Sequence, residues 1–333
     1  MTDTAADPGP PPRAGTARAA EPGPRDGPLR IFVVGPSRGG TTLAQRLLAE
    51  RLGLHTLPET RLFANLYGNL EEKRFPRTAR PRPPLRRATS ALREGLGLAT
   101  GAAPVRLPGL LEMAPRRWRP ARAAAAEFVA RMDAAAAAAG CAGWLEKTPY
   151  HVHYADRIVR HVPGAWTVHV IREARAVIGS IRDAARRYDD PWPLVYDRVE
   201  RDVDDWNAAV AASARMVGRP RQIFVPYEAL AAAPEAVLDE VAGRMGAAAA
   251  ARPPGAPASM VESREAWKSA AYSDPVRPAA SKWDGALTAD ERARAAALIA
   301  SVPPALEAAM APVRAAAERA AGAPPRVLST ARR

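Results

Sequence analysis

The sequence predicts an α/β protein: a mostly parallel central sheet flanked by helices, with a phosphate-cradling glycine loop (P-loop) after its first strand. Three observations predict it. Leu29 to Leu48 reads as a short apolar strand, a glycine loop and a helix. Ala142 to Ser180 repeats the alternation of buried strand and helix. Gln222 to Tyr227 is a further apolar strand, followed by Glu228-Ala-Leu230.

In the first unit, Ile31 to Val34 is the strand and Gly35-Pro-Ser-Arg-Gly-Gly40 the loop. Thr41, Thr42, Leu43, Leu47 and Leu48 open a helix with apolar residues at helical spacing. The unpaired backbone N–H groups and the dipole at such a helix start both favour an anion. The loop nearly matches G-x-x-x-x-G-K-[ST], with Gly35, Gly40 and Thr42 in place. The lysine that reaches the outer phosphates of a triphosphate is replaced by Thr41. The cation sits inside the loop, at Arg38, which suits a shorter, diphosphate-like group.

In the second unit, Gly143 to Glu146 is a short strand and Lys147-Thr-Pro149 a turn that starts a helix. Val152, Ala155, Ile158 and Val159 give that helix an apolar face, and Pro163-Gly164 ends it. Trp166 to Ile171 is another buried strand, with Arg172 at its carboxyl edge before the helix that carries Ser180. Ligands of open α/β sheets bind at such edges.

Pro36, Arg38, Gly40, Thr41 and Thr42 resemble the P-R-S-G-T-T signature of sulfotransferases, which use 3′-phosphoadenosine 5′-phosphosulfate (PAPS) as sulfonate donor. Ser37 is interposed and Gly39 takes the usual serine position. The second unit resembles the family's K-x-P, helix, F-P-x-A, strand, R-D-P-R, helix, S, with Glu173 for aspartate and Ala174 for proline, and with Arg175 as the second arginine. Gln222 to Leu230 is similar to V-x-Y-E-D-L, and Ser281-Lys282-Trp283 to a C-terminal S-K-W. The resemblance implies that Arg38, Gly39, Gly40, Thr41, Thr42, Arg172, Ser180, Tyr227 and Lys282 bind the donor. Arg172 and Ser180 would hold its 3′-phosphate. Tyr227 reads equally well as a core aromatic.

Sulfonate transfer needs cations for the sulfonate and bridging oxygens and a base for the acceptor hydroxyl. Arg38 is placed at the sulfonate and Lys147 at the bridging oxygen, with no metal. Pro58-Glu-Thr-Arg61 resembles the E-T-R segment of tyrosylprotein sulfotransferases, whose glutamate is the proposed base. That makes Glu59 the candidate, with His151 as the alternative. The acceptor is a hydroxyl compound that the sequence leaves open: phenolic, glycan, lipid or natural product.

Composition bounds the rest. The 333 residues suit one large domain, expected over 29–320, with a disordered tail over 1–28 and a flexible tail over 321–333. The first 28 residues lack the apolar run of a signal peptide or anchor, and no later stretch reaches membrane-spanning length. The single cysteine, Cys141, favours a reducing compartment, hence the cytoplasm, and the five histidines show no ligand-spaced cluster. The formal charge is +13. Between Lys73 and Arg122 there are 13 basic and two acidic residues, in a Pro/Arg-rich segment read as a helical insertion or lid. It could attract the anionic donor, select an acidic acceptor, or be a solvated arginine face. Nucleic acid is not expected, because no stacking-aromatic pattern accompanies the charge. The competing classes are a P-loop phosphotransferase, which the missing loop lysine disfavours, and a non-catalytic anion- or nucleic-acid-binding protein.

Overall fold

A five-stranded parallel sheet with β1 (Leu29–Val34) at its centre organises the chain. The computed structural model describes residues 27–80, 83–96, 98, 105–107, 110–113, 120–188, 192–250 and 281–322. Residues 1–26 and 323–333 of the expected tails and parts of the 73–122 segment lie outside these residues, whereas residues 321 and 322, expected in the flexible tail, belong to the last helix. β1 leads through the glycine loop into α1 (Thr41–Arg51) and the short β2 (His55–Thr56). Next come α2 (Leu62–Tyr67), α3 (Leu70–Arg74) and α4 (Pro84–Gly95). β3 (Val105–Leu107) and β4 (Leu110–Met113) form a separate antiparallel pair. The segment expected to be helical therefore also carries a hairpin-like ladder.

The second half continues with α5 (Ala121–Ala138), β5 (Gly143–Lys147), a 3₁₀ turn (Pro149–Tyr154), α6 (Ala155–His161) and β6 (Trp166–Ile171). It then runs through α7 (Ala174–Arg187), α8 (Trp192–Val195), α9 (Val199–Ala214) and β7 (Gln222–Pro226). α10 (Tyr227–Ala232) and α11 (Pro234–Arg244) follow, with α12 (Trp283–Ala286), α13 (Ala289–Leu298) and α14 (Pro304–Gly322) beyond. The strand order is β2–β5–β1–β6–β7.

Both faces of the sheet are covered, which is why its strands are apolar almost without interruption. Alternation sends Leu29, Ile31 and Val33 toward a core with α1, α11 and α14. Phe32 and Val34 face a second core with α2, α5 and α6. A third core joins α7, α9, α12 and α13. The one charge inside β1, Arg30, pairs with Asp133 of α5 at 2.6 Å, and Asp133 also accepts the Trp144 indole N–H at 2.8 Å.

Two local expectations shift. β5 extends one residue further, to Lys147, because Lys147 pairs in register with Val33. Pro149 opens a 3₁₀ turn before α6 begins at Ala155. The anticipated aspartate-to-glutamate change at 173 proves compatible with the helix start: the Glu173 side chain caps α7, accepting from the N–H groups of Arg175 and Ala176 at 2.9 and 2.7 Å.

His169 lies wholly buried on β6, between Ser213 Oγ and Gln222 Oε1, each at 3.0 Å. Burial lowers its pKa to about 4. The unfolded chain therefore binds a proton below its ordinary value of 6.5 that the folded chain refuses. Stability from this group is full above that value and is lost as the pH falls toward 4, by about 1.4 kcal/mol per pH unit. Urea midpoints at a series of pH values should show this slope, and His169→Gln should flatten it whatever its cost at neutral pH. An unchanged slope in the variant would refute the assignment.

Candidate active site

In a parallel sheet every strand ends at the same edge, and here each of the five ends delivers a candidate residue. β1 gives the glycine loop, β6 gives Arg172 and β7 gives Tyr227. β5 ends on Lys147 itself, and β2 is followed three residues later by Glu59.

The loop is held in an unusual backbone conformation. Gly40, at the start of α1, has φ 90°, and a Cβ there would lie 2.1 Å from the Tyr227 ring. Only glycine permits both the conformation and the contact. Arg38 adopts the left-handed region too, with φ 59°, as does Arg61 beside Glu59, with φ 55°. Such residues are uncommon and store strain of order 1–3 kcal/mol each.

Arg38 Nε donates to Ser180 Oγ at 3.0 Å, and Arg172 Nη1 donates to the Arg38 carbonyl at 3.2 Å. The Arg172 guanidinium lies 4.4 Å from the centre of the Tyr227 ring. Burial, and then the like charge of Arg172, lower the Arg38 pKa. Arg172 Nε is buried without a hydrogen-bond partner. Two cations, a hydroxyl and an orphaned donor thus converge beside the helix start, an arrangement complementary to an anion. Lys282 stands close by. Its backbone packs where a Cβ on Gly179 would fall, 2.8 Å from the Lys282 carbonyl carbon, and its ammonium pairs with Asp183.

At the other end of the edge, Lys147 Nζ meets Glu59 Oε1 at 2.6 Å. The lysine side chain is 1% exposed and the glutamate 13%, so the pair opens toward solvent on the glutamate side. His151 occupies a different setting from a free surface base. It is completely buried, with Nδ1 at 3.0 Å from Glu146 Oε2 and Nε2 accepting the Phe63 N–H at 3.2 Å. Both ring nitrogens are engaged within the protein.

A further group was missed in the sequence. Arg74, at the end of α3, donates to both oxygens of Asp205 at 2.9 Å and to Ser37 Oγ of the glycine loop at 3.0 Å, and also bonds Tyr196. Asp204 accepts from the N–H groups of Arg77 and Thr78 at 2.9 Å. The face of α9 that carries these carboxylates therefore ties the root of the basic segment to the loop. The readable signal was Glu200, Asp202, Asp204 and Asp205 interleaved with the apolar frame Val199, Val203 and Trp206. Acidic residues inside a buried stripe require cationic partners.

Among the described residues, no group of three or more His, Cys, Asp or Glu side chains is arranged to hold a metal ion, and no helix is long and apolar enough to cross a membrane. The sulfotransferase family model matches residues 28–250, and the chain belongs to that family. It is similar to the sulfotransferase domain of the Synechococcus PCC 7002 olefin synthase, with 19% identity over 92% of this chain and 100% of that one and a TM-score of 0.38. It is also similar to the Mycobacterium tuberculosis sulfotransferase STF1, with 18% identity over 67% of this chain and 68% of that one and a TM-score of 0.36. The sulfotransferase domain from the curacin biosynthetic pathway matches with 12% identity, over 90% of this chain and 99% of that one, at a TM-score of 0.37. No curated protein matches the chain.

The Arg74–Asp205 pair is buried, so removing the arginine leaves the Asp205 charge, among the described residues, with only the Tyr196 hydroxyl bonded to it. Arg74→Met should cost about 3–5 kcal/mol. Chemical denaturation measures it, and a loss under about 1 kcal/mol, the value of an exposed pair, would show that the pair is solvated.

Proposed function

We propose that this sulfotransferase moves a sulfonate group from PAPS to a hydroxyl acceptor. The observation that carries the reading is the Arg38–Ser180–Arg172 cluster beside a helix N-terminus, with the Lys147–Glu59 pair on the same sheet edge. The orphaned Arg172 Nε supports a 3′-phosphate anchor. Thr41 in place of a loop lysine speaks against a nucleoside triphosphate.

In this reading the N–H groups from Gly39 to Thr42 hold the donor's 5′-phosphate. Arg172 and Ser180 hold the 3′-phosphate, and the Arg38–Ser180 contact draws Arg38 into that anchor rather than toward the sulfonate. Tyr227 lines the nucleotide beside Arg172, and Lys282 closes the same side next to Ser180. Glu59 takes the proton of the acceptor hydroxyl as its oxygen bonds to sulfur. The bond from sulfur to the bridging oxygen breaks, and Lys147 stabilises the charge that develops on the departing phosphate. The His151 contacts favour Glu59 over His151 as the base, since the imidazole has no lone pair to offer. The sheet and loop belong to a domain we place at 29–320, with the basic 73–122 segment as an insertion or lid. The acceptor belongs to the hydroxyl class, to be sorted among phenols, glycans, lipids and natural products by a screen with radiolabelled donor sulfur.

Calorimetry tests the donor. The protein should bind 3′-phosphoadenosine 5′-phosphate far more tightly than ADP, and Arg172→Ala should remove most of the preference, on the order of 1.5–3 kcal/mol. Equal affinity for the two nucleotides would overturn the assignment.

Single-turnover rates test the chemistry. Lys147→Ala should lower the rate by roughly a hundredfold or more while the product nucleotide still binds. Glu59→Gln should do the same. Because the two side chains touch, the double variant should lose much less than the product of the single losses. A Glu59→Gln enzyme at wild-type rate would remove Glu59 from the base role.

A further inference from the structure

The Glu59 loop is fixed by a carboxylate that no donor or acceptor needs to touch. Glu146 precedes Lys147 on β5 and is completely buried. Its Oε1 accepts from the Thr60 N–H at 3.2 Å, from Thr60 Oγ1 at 2.9 Å and from Thr148 Oγ1 at 2.5 Å. Its Oε2 faces His151 Nδ1 at 3.0 Å, and the far nitrogen of that ring receives the Phe63 N–H. Thr148 Oγ1 in turn accepts from the Arg61 N–H at 3.3 Å. Three successive stretches of the loop, at Thr60, Arg61 and Phe63, are thereby tied to one acidic hub. Burial alone would raise the Glu146 pKa; His151 and the two threonine hydroxyls outweigh it and hold it below its ordinary value.

The two chain segments meet as a ladder with two rungs. Glu59 bonds Lys147 and Thr60 bonds Glu146, so consecutive residues on one segment engage consecutive residues on the other. Strand geometry sends Glu146 and Lys147 to opposite sides of β5. The loop must therefore be held on one side for its glutamate to reach the lysine on the other. Arg61 sits between these ties in the left-handed region, a conformation that persists only where its surroundings impose it.

We propose that Glu146, acting through Thr60 and through His151, is the positioning residue that aims the Glu59 carboxylate at Lys147 and at the incoming hydroxyl. This rests on the reading of Glu59 as the base. His151 gains a defined role as well, relaying the hold of Glu146 to the backbone of α2.

The test uses the full-length protein and two variants of similar shape. Glu146→Gln puts an amide where a carboxylate now serves four donors, so either the threonine or the histidine side of the hub is lost. Thr60→Val removes one hydroxyl, and Thr60→Ser restores it. The readouts are release of radiolabelled sulfate from PAPS, with water as the acceptor, and calorimetric affinity for 3′-phosphoadenosine 5′-phosphate. Turnover should fall about tenfold to a hundredfold in Glu146→Gln, the scale of a small misplacement of a reacting group. Thr60→Val should also lose turnover and Thr60→Ser recover it, with nucleotide affinity within about twofold throughout, the mark of a transition-state effect. In a Glu59→Gln background, Glu146→Gln should cause no further loss. Full multiplication of the two losses, wild-type turnover in Glu146→Gln, or a parallel fall in nucleotide affinity would overturn the proposal. If Glu146→Gln does not fold, the Thr60 pair decides by the same criteria. Failure of the base reading is seen separately, as wild-type turnover in Glu59→Gln alone, and it takes this proposal with it.

Discussion

The parallel sheet is the constraint on which the rest of the molecule depends. Its central strands are covered on both faces, so their side chains are committed to packing. Chemistry can then be placed only where strands stop. Because all five run the same way, every stop falls at one edge, and residues as distant in sequence as Arg38, Lys147, Arg172 and Tyr227 are all delivered to it. The left-handed backbone at Arg38 and Arg61 lies in the loops leaving that edge. The core packing stabilises these strained residues and keeps the edge in one shape.

Buried charge is the second organising force. Arg74 with Asp205, Arg182 with Asp202, and Glu146 with its four donors are buried, Lys147 with Glu59 is buried on the lysine side, and each charge has a partner. How well it is met varies. Arg182 reaches only Oδ2 of Asp202, while Oδ1 has no partner, and burial accordingly pushes the Asp202 pKa up to about 8. Arg74 engages both oxygens of Asp205, and despite burial that carboxyl is held below its ordinary value. Arg172 contrasts with these. It meets a carbonyl oxygen and an aromatic ring, and neither neutralises its charge. The difference separates cations that hold the fold together from one disposed toward an anion.

The sheet was legible in the sequence because its strands are short apolar runs bounded by glycine, proline or a helix start. Ile31 to Val34, Trp166 to Ile171 and Gln222 to Tyr227 each follow that pattern, and each is a strand in the fold, although β1 begins earlier, at Leu29, and β7 stops at Pro226, where Tyr227 opens α10. β2 was not legible: two residues carry no periodicity, and His55-Thr56 becomes a strand only through its pairing with Trp144 and Leu145. The glycine loop was legible for the same local reason as the long strands. The hub at Glu146 was not. In the sequence Glu146 is simply the last polar residue of a strand, and its partners Thr60 and His151 become its neighbours only through folding. The burial of His151 was hidden too, because Pro149 opens a 3₁₀ turn, whose threefold repeat points side chains differently from an α-helix. The acidic face of α9 was partly legible, since carboxylates within an apolar frame demand partners, but nothing local identified Arg74 as the partner.

Lys147 brings composition and geometry to the same conclusion. Only four of the 48 basic residues are lysines, so the chain uses arginine almost wherever a positive charge suffices. A guanidinium carries five donors in a rigid plane and stays protonated. At a strand end that is 1% exposed, with Glu59 alongside, a planar fork would need both more room and more acceptors. An ammonium is compact, turns its three donors freely, and can exchange one partner for another. That last property suits the role we propose for Lys147, in which the ammonium rests on the Glu59 carboxylate and then turns to a departing phosphate oxygen. At Lys147 the chain departs from its preference for arginine at a place where a planar, permanently committed cation would fit poorly.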